Sequence, residues 1–116
     1  MLNIVSSYEE HPQAVLIRAG EPISGIAAME ANRKLKKPKM RMLLNGPGKL
    51  CQAMDIDQDL NGYDLVNGDA LYCTTGVKID PSDIIAAKRI NIDYAEEYKD
   101  KLWRFYLANN RCVSKV

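Results

Sequence analysis

The sequence has 116 residues, which is the usual size of one domain. Hydrophobic residues make up 47% of the chain and charged residues 27%, so the composition is that of a folded globular protein and not of a disordered one. Sixteen lysines and arginines against fifteen aspartates and glutamates leave a net charge of +1, which gives no overall attraction to nucleic acid or to an anionic membrane.

The chain has few of the features that mark membrane proteins or metalloproteins. No apolar run approaches the roughly 18 residues of a membrane-spanning helix, and the amino-terminal stretch MLNIVSSYEE lacks the basic start of a signal peptide. Cys51, Cys73 and Cys112 are more than 20 positions apart, and the chain has one histidine. These spacings exclude the usual zinc motifs and a redox CxxC pair. We therefore expect a cytoplasmic protein with buried thiols, no metal, no cofactor and no membrane association.

The chain opens with a predicted β-hairpin. Residues 2–7 and 14–19 are strand-like, and they flank the polar connector at residues 8–13. The stretch Ala14-Val15-Leu16-Ile17 is continuously apolar, which is typical of a strand covered on both faces. We therefore expect the second strand of the hairpin to lie inside the protein.

Two helices are predicted after the hairpin. Ser24 is placed to cap a helix that runs to about Lys36. The turn Asn45-Gly46-Pro47-Gly48 then leads directly into a second helix over residues 49–54, whose apolar positions at i, i+3 and i+4 share one face.

The second half of the chain gives weaker signals. Residues 55–68 are rich in Asp, Asn and Gly and are predicted to form a loop, and a strand is expected near residues 70–75. Residues 83–92 begin like a capped helix and end with strand-like alternation, whereas residues 103–107 alternate clearly as a strand. We predict a single α+β domain over residues 1–116, with a mixed or antiparallel sheet and short helices.

Arg18 is the first candidate for a functional side chain. It ends the apolar run of the second strand, where a partly buried guanidinium needs a partner. From this pattern alone two interpretations stay open. The arginine either pairs with a surface carboxylate at the end of the strand, or it lies at the edge of a polar site.

The segment Asn45-Gly46-Pro47-Gly48-Lys49 is the second candidate, because it has the features of an anion-binding turn. Its glycines allow close approach to the backbone, Pro47 suits the first turn of a helix, and unpaired amides would face outward beside Lys49. The motif is not a Walker A sequence, and a simple helix cap would use the same residues. The neighbouring basic run at residues 33–41 is either a solvated helix end or a surface that contacts nucleic acid.

Three segments carry a more specific signal. They are VLIRAGEPISGIAAM, then NGPGKLCQAMDID, and LWRFYLANNRCVSKV at the end of the chain. In this order they resemble the alkyladenine (3-methyladenine) DNA glycosylase family of base-excision repair, with GPxKLCQA, VLIRAxEP and RFYLxNxxxVS as the matching motifs. The resemblance covers essentially the whole chain and implies a partial version of that α+β fold, its C-terminal portion.

The resemblance implies roles for particular residues. Asn3 matches an asparagine that projects into the base pocket, Arg18 matches an arginine that helps to hold the attacking water, and the main-chain carbonyl of Ile90 matches a further ligand of that water. The segment Gly46-Pro47-Gly48-Lys49 matches the part that grips the DNA backbone. Asn91 stands where the family usually has a glycine next to the DNA.

The resemblance also implies an activity. The family hydrolyses the N-glycosidic bond of alkylated or deaminated purines, of the 3-methyladenine and hypoxanthine type, in double-stranded DNA after flipping the base out of the duplex. It needs no metal and no lyase lysine. The family keeps its catalytic glutamate upstream of the part that this chain matches, so we expect this chain alone to be inactive.

Three hypotheses remain open on the sequence. The chain is part of a working glycosylase associated with the nucleoid, or it is a catalytically inactive truncated DNA-binding module. In the third hypothesis it is a self-associating remnant that forms a homodimer through strand faces left uncovered.

Overall fold

Six short regular elements form three pairs along the chain. The computed structural model describes all residues, 1–116. The strands are β1 (Asn3–Ser6), β2 (Gln13–Leu16), β3 (Ile84–Ala87) and β4 (Arg104–Leu107), and the helices are α1 (Ile26–Arg33) and α2 (Pro47–Ala53). Strands β1 and β2 pair in one antiparallel sheet, β3 and β4 pair in another, and α1 packs against α2. The predicted α+β class is confirmed.

The first hairpin forms as predicted, but its second strand is not enclosed. Asn3 lies opposite Leu16 and Ser6 opposite Gln13 in the β1–β2 register. Only Leu16 of β2 is partly buried, and Val15 is 54% exposed. The expectation of a strand covered on both faces is therefore wrong. The hairpin reaches the core only at its open end, and no layer packs on the faces of β2.

Helix α1 differs from its prediction at both ends. Its N-cap is Gly25 in the left-handed region (φ 70°), without a side-chain cap, so the prediction that Ser24 caps the helix is wrong. The helix ends at Arg33, short of Lys36. Lys34 turns into the left-handed conformation, and its N–H donates to the carbonyls of Ala31 and Glu30, which is a common way for a helix to end.

Helix α2 and the residues before it form the core. The helix was predicted from Lys49 and begins two residues earlier, with Pro47 in its first turn. The buried cluster consists of Leu43, Leu44, Leu50, Cys51 and Ala53. Apolar side chains that pack around it come from the open end of the first hairpin, from α1 and from the residues after α2: Leu2, Ile17, Ile26, Met29 and Ile56.

Polar contacts from α1 fasten this core. The side-chain amide of Asn32 donates to the carbonyl of Ala53 at 2.9 Å. The Arg33 guanidinium donates to the carbonyls of Met42 and Leu43, at 2.8 and 2.7 Å, and to the side-chain oxygen of Gln52 at 3.0 Å. Arg33 begins the basic run, but its side chain has a structural role. It supplies hydrogen-bond donors to the main-chain carbonyls that precede α2.

The second half of the chain has less regular structure than the sequence suggests. The strand expected near residues 70–75 is absent, because this exposed stretch has no partner strand. It is fastened instead by the N–H of Ala70, which donates to the Tyr63 hydroxyl at 2.8 Å. Both local signals in residues 83–92 are wrong: the helix-like start forms strand β3 after a 3₁₀ turn at Pro81–Asp83, and the alternation at residues 90–92 forms no strand. The strand predicted over residues 103–107 is confirmed as β4.

Burial is sparse for a chain of this length. Only seven of the 116 residues are buried, and large apolar side chains on the hairpins are open to solvent, among them Val5 at 75% and Phe105 at 65%. No helix has both the length and the apolar character needed to cross a membrane. The faces of the two hairpins therefore carry exposed apolar side chains, and where such side chains form a patch it often marks a contact site.

Candidate functional site

A groove of about 1210 Å³ lies between the two hairpins. All four residues of β2 form one wall, and all four residues of β4 form the other. Gly46 and Pro47, at the start of α2, also line the groove, as do residues 112–115 near the end of the chain. The groove thus joins the two sheets to the core helix.

Most of the site residues expected from the sequence lie along this groove. Those that line it are Asn3, Arg18, Gly46, Pro47 and Ile90. They come from four separate parts of the chain, so their proximity is a product of the fold. Gly48, Lys49 and Asn91 were expected beside them but are not among the lining residues. Gly48 and Asn91 each follow directly on a lining residue, and Lys49 is the next residue after Gly48.

The pairing of the first hairpin positions Asn3 and Arg18. Asn3 lies opposite Leu16, and the N–H of Ile17 donates to the carbonyl of Leu2 at 3.0 Å. Asn3 and Arg18 therefore both lie at the open end of the hairpin, opposite its connecting turn. Arg18 is half-buried, yet its guanidinium forms no hydrogen bond within the protein, and the one ion pair of the structure joins Lys88 to Asp100. The interpretation of a strand-end arginine paired with a carboxylate does not hold.

The turn at the start of α2 is open to approach from outside. Gly46 is extended, and no side chain caps the first amides of the helix, so the structure leaves them available to an acceptor. The Lys49 ammonium donates to the side-chain oxygen of Asn45 at 3.1 Å, which holds it beside the turn. A Cβ atom added at Gly48 would meet nothing within 4 Å. Packing within the chain therefore does not require glycine at this position.

The main-chain conformation of Asn91 is one that glycine adopts easily, which fits the glycine that the family usually has at this position. Its φ of 58° lies in the left-handed region, which glycine enters freely and which asparagine tolerates better than other side chains. An asparagine keeps this backbone shape but adds a side chain at the surface. Ile90, the residue before it, is half-buried and lines the groove.

The groove is basic, although the whole chain is nearly neutral. Four cationic residues line it, Arg18, Arg89, Arg104 and Lys115, against the single carboxylate of Glu21. Three of these four were missed as site residues from the sequence. The interleaving of basic and aromatic residues in WRFY, at residues 103–106, is the signal that could have found one of them.

Aromatic side chains hold two of these arginines. The Arg89 guanidinium lies over the ring of Trp103, 5.4 Å from its centroid, and donates to the carbonyl of Tyr98 at 3.3 Å. The Arg104 guanidinium lies 4.8 Å from the centroid of Tyr106. Stacked in this way, a guanidinium keeps its charge while its position is fixed. The Nε atom of Arg89 is buried without a hydrogen-bond partner.

The ionisable groups near the groove do not form a nucleophilic or metal-binding centre. Burial, and secondarily the charge of Glu21, raise the pKa of the Cys112 thiol, so this cysteine stays protonated and is a poor nucleophile. The structure contains no cluster of three or more His, Cys, Asp or Glu side chains that could hold a metal ion. Positioning and charge, supplied by arginines and main-chain groups, are what this groove offers.

Comparison with known proteins identifies the family. Residues 1–111 match the profile of the methylpurine-DNA glycosylase (MPG) family. The chain belongs to this family. A putative 3-methyladenine DNA glycosylase of Natranaerobius thermophilus is 55% identical over 112 residues, which cover 97% of this chain and 57% of the relative. Proteins with the same name from Clostridium acetobutylicum and Borreliella burgdorferi are 50% and 40% identical, over 97% and 99% of this chain and 57% and 56% of their own lengths.

The resemblance noted in the sequence is therefore confirmed, and the chain spans a little more than half the length of the curated glycosylases that it matches. Two of the motifs that carried it meet in the core. The N–H of Gly20, in VLIRAGEP, donates to the carbonyl of Leu44 at 3.0 Å. A Cβ atom at Gly20 would lie 3.6 Å from Leu44 and 3.7 Å from Leu50. This contact fixes Arg18, two residues before Gly20, relative to the turn at Gly46.

The left-handed backbone at Asn91 leads to a stability prediction. Asn91→Val should lower the free energy of unfolding by about 1–2 kcal/mol, because a β-branched residue is strained at positive φ. Asn91→Gly should leave it unchanged or raise it slightly. Urea unfolding followed by circular dichroism measures both. Asn61 provides the matched control, since its φ is −63° and valine fits there without strain. Equal losses at the two positions would contradict the argument.

Proposed function

We propose that this chain forms part of a DNA glycosylase that hydrolyses the N-glycosidic bond of alkylated or deaminated purines, such as 3-methyladenine and hypoxanthine. The observation that supports this most is that Asn3, Arg18, Gly46, Pro47 and Ile90 line one basic groove. The names of the relatives, putative 3-methyladenine DNA glycosylases, support the substrate class.

The substrate would be a purine nucleotide rotated out of the duplex, because its glycosidic bond is inaccessible inside the stack. The turn at Gly46-Pro47-Gly48-Lys49 and the cationic groove residues other than Arg18 would hold the phosphates on either side. Such contacts fix the register of the protein on DNA without reading the sequence. Asn3 carries both a donor and an acceptor, so it can distinguish the polar edges of one purine from those of another.

Arg18 and Ile90 would position the attacking water. A water molecule offers two hydrogens and two lone pairs. In this proposal Arg18 donates to one lone pair, the Ile90 carbonyl accepts one hydrogen, and the second lone pair points at the sugar carbon. The second hydrogen then faces a general base, a glutamate that is not among the residues of this chain. The water oxygen bonds to the sugar carbon, the bond to the purine breaks and the purine leaves with its electron pair, and the glutamate accepts the proton of the water.

A second candidate function is self-association through the groove. The residues that favour it are the apolar members of the two walls, among them Val15 and Phe105, both more than half exposed. Each sheet has only two strands, and both strands of each sheet have an open edge. Two-stranded sheets are marginal alone and readily accept another strand. A second copy of this chain seated on the groove would exclude DNA from it.

The role of Arg18 is tested in a chimera that adds to this chain the segment of the Natranaerobius thermophilus relative that it does not match. Arg18→Ala should lower the release of hypoxanthine from duplex DNA by about 10²–10³-fold, because a positioned hydrogen-bond donor is lost. Affinity for the same duplex should change little. The 116-residue chain alone should release no base. Equal losses of release and affinity would show that Arg18 is structural.

The turn before α2 is tested by two substitutions in this chain. Lys49→Ala should weaken binding to damaged and undamaged duplex equally and reduce the slope of log affinity against log salt by about one.

Gly48→Ala should raise stability by about 0.4–1 kcal/mol and nevertheless weaken DNA binding, because a methyl group then stands where a phosphate approaches. Lys36→Ala is the control. A Gly48→Ala variant that gains stability and binds DNA normally would contradict the proposed backbone approach.

Self-association is tested by sedimentation velocity across a concentration series. The second candidate predicts a dimer that dissociates on dilution, and Phe105→Glu should yield monomers because it places a charge on the apolar wall. Val66→Glu, at a residue 88% exposed and outside the groove, is the control. A wild-type chain that remains monomeric at all concentrations excludes this candidate.

A further inference from the structure

A second concavity, of about 510 Å³, lies beside the groove and is strongly basic. Its lining residues are Glu21, Lys39, Met40, Arg41, Arg111 and Cys112. Glu21 and Cys112 also line the groove, so the two depressions adjoin. Half of the residues around the second concavity are cationic, and they come from two chain segments about 70 positions apart. We call it the basic pocket.

The arginines of the basic pocket are not used by the fold. Arg33, Arg89 and Arg104 each donate to main-chain carbonyls, and their guanidinium groups hold the structure together. Arg41 and Arg111 form no hydrogen bond within the protein, and neither takes part in the one ion pair. Glu21 is therefore not an ion-pair partner for them. Like charges that line one concavity repel each other until an anion neutralises them.

Both walls of the basic pocket are anchored. Lys39 and Arg41 belong to a 3₁₀ turn at Met40–Met42, in which the N–H of Met42 donates to the carbonyl of Lys39 at 2.8 Å. The carbonyl of Met42 in turn accepts from Arg33 at 2.8 Å, and the next residue is the fully buried Leu43. One wall is therefore fixed to the core by main-chain contacts.

The opposite wall is a second tight turn. The N–H of Cys112 donates to the side-chain oxygen of Asn110 at 2.8 Å, and the N–H of Val113 donates to the carbonyl of Asn110 at 3.2 Å. Cys112 itself is buried. Arg111 lies between these fixed residues, so its main chain is held while its exposed guanidinium extends to the pocket.

We propose that the basic pocket binds a phosphate of the DNA backbone, outside the nucleotide that enters the groove. The inference rests on the proposed function, which makes DNA the substrate. Two guanidinium groups and an ammonium match the several oxygens of a phosphate, since arginine donates to them in a bidentate fork. A strand of DNA carries phosphates at regular intervals, and the pocket continues the basic groove, so one strand reaches both.

The test compares DNA binding with binding of inorganic phosphate. Fluorescence anisotropy with undamaged duplex, over a series of salt concentrations, should show that Arg41→Ala and Arg111→Ala each reduce the salt slope by about one. Arg111→Lys should retain the slope. Lys36→Ala is the matched control, because Lys36 is an exposed cation of the same basic run but does not line the pocket. Circular dichroism of each variant verifies that it is folded.

Inorganic phosphate then separates failure of the inference from failure of the proposed function. Titration with phosphate should shift the main-chain amide resonances of Arg41 and Arg111 in the wild-type chain. In Arg111→Ala the resonance of Arg41 should not shift. A wild-type chain that binds DNA with a slope unchanged by Arg111→Ala overturns the inference. Phosphate-induced shifts without any DNA binding overturn both the DNA assignment of the pocket and the proposed function. Absence of phosphate shifts, together with an unchanged slope, shows that the pocket is not an anion site.

Discussion

The contact of Gly20, four residues after β2, with Leu44 and Leu50 is the constraint on which the rest of the structure depends. The hydrogen bond from Gly20 to Leu44 joins two segments that are 24 positions apart, and Leu50 packs against the same glycine. The buried cluster has only five residues. Gly46 is two residues after Leu44, and Arg18 is two residues before Gly20. A side chain at Gly20 that moved either leucine would therefore shift the arginine relative to the turn.

The arginines of the chain divide according to what their guanidinium groups contact. Arg33, Arg89 and Arg104 donate to main-chain carbonyls, and the latter two also lie over aromatic rings. Arg18 and Arg41 have no such partners. Partial burial of Arg18 without a partner lowers stability, and the exposed Arg41 adds no polar contact to the fold. In the two proposals, a positioned water or a bound anion would give these charges the partners that the chain does not supply.

Much of the local structure follows from the sequence because it depends on short-range patterns. The first hairpin, helix α2 and strand β4 were predicted from alternation, turn chemistry and a helical stripe, and all three form. The wrong predictions depend on tertiary context. The stretch at residues 70–75 has strand-like composition but finds no partner strand, and an apolar β2 stays exposed because nothing packs on it.

The site residues likewise divide into those that the sequence indicated and those that depend on tertiary context. The resemblance supplied Asn3, Arg18 and Ile90, which the periodicity of the chain alone could not relate to one another. It did not supply Arg104, whose place in the same groove as Arg18 depends on how two separate hairpins face each other. Nor did the sequence reveal that Arg111 lies with the distant Arg41, because charge patterning along a chain identifies runs and not clusters formed by folding.

The composition of the groove suits a substrate with two unlike parts. Phosphates need cations, whereas a purine rotated out of its stack needs apolar or aromatic surface to replace its neighbours. Arg104 and Lys115 provide the first, and Trp103 and Phe105 provide the second, within one groove. The same apolar side chains would also favour pairing with another protein segment. In the two proposed functions, DNA and a second copy of the chain would therefore compete for the groove, and the proposed water would give catalysis only with a carboxylate to accept its remaining hydrogen.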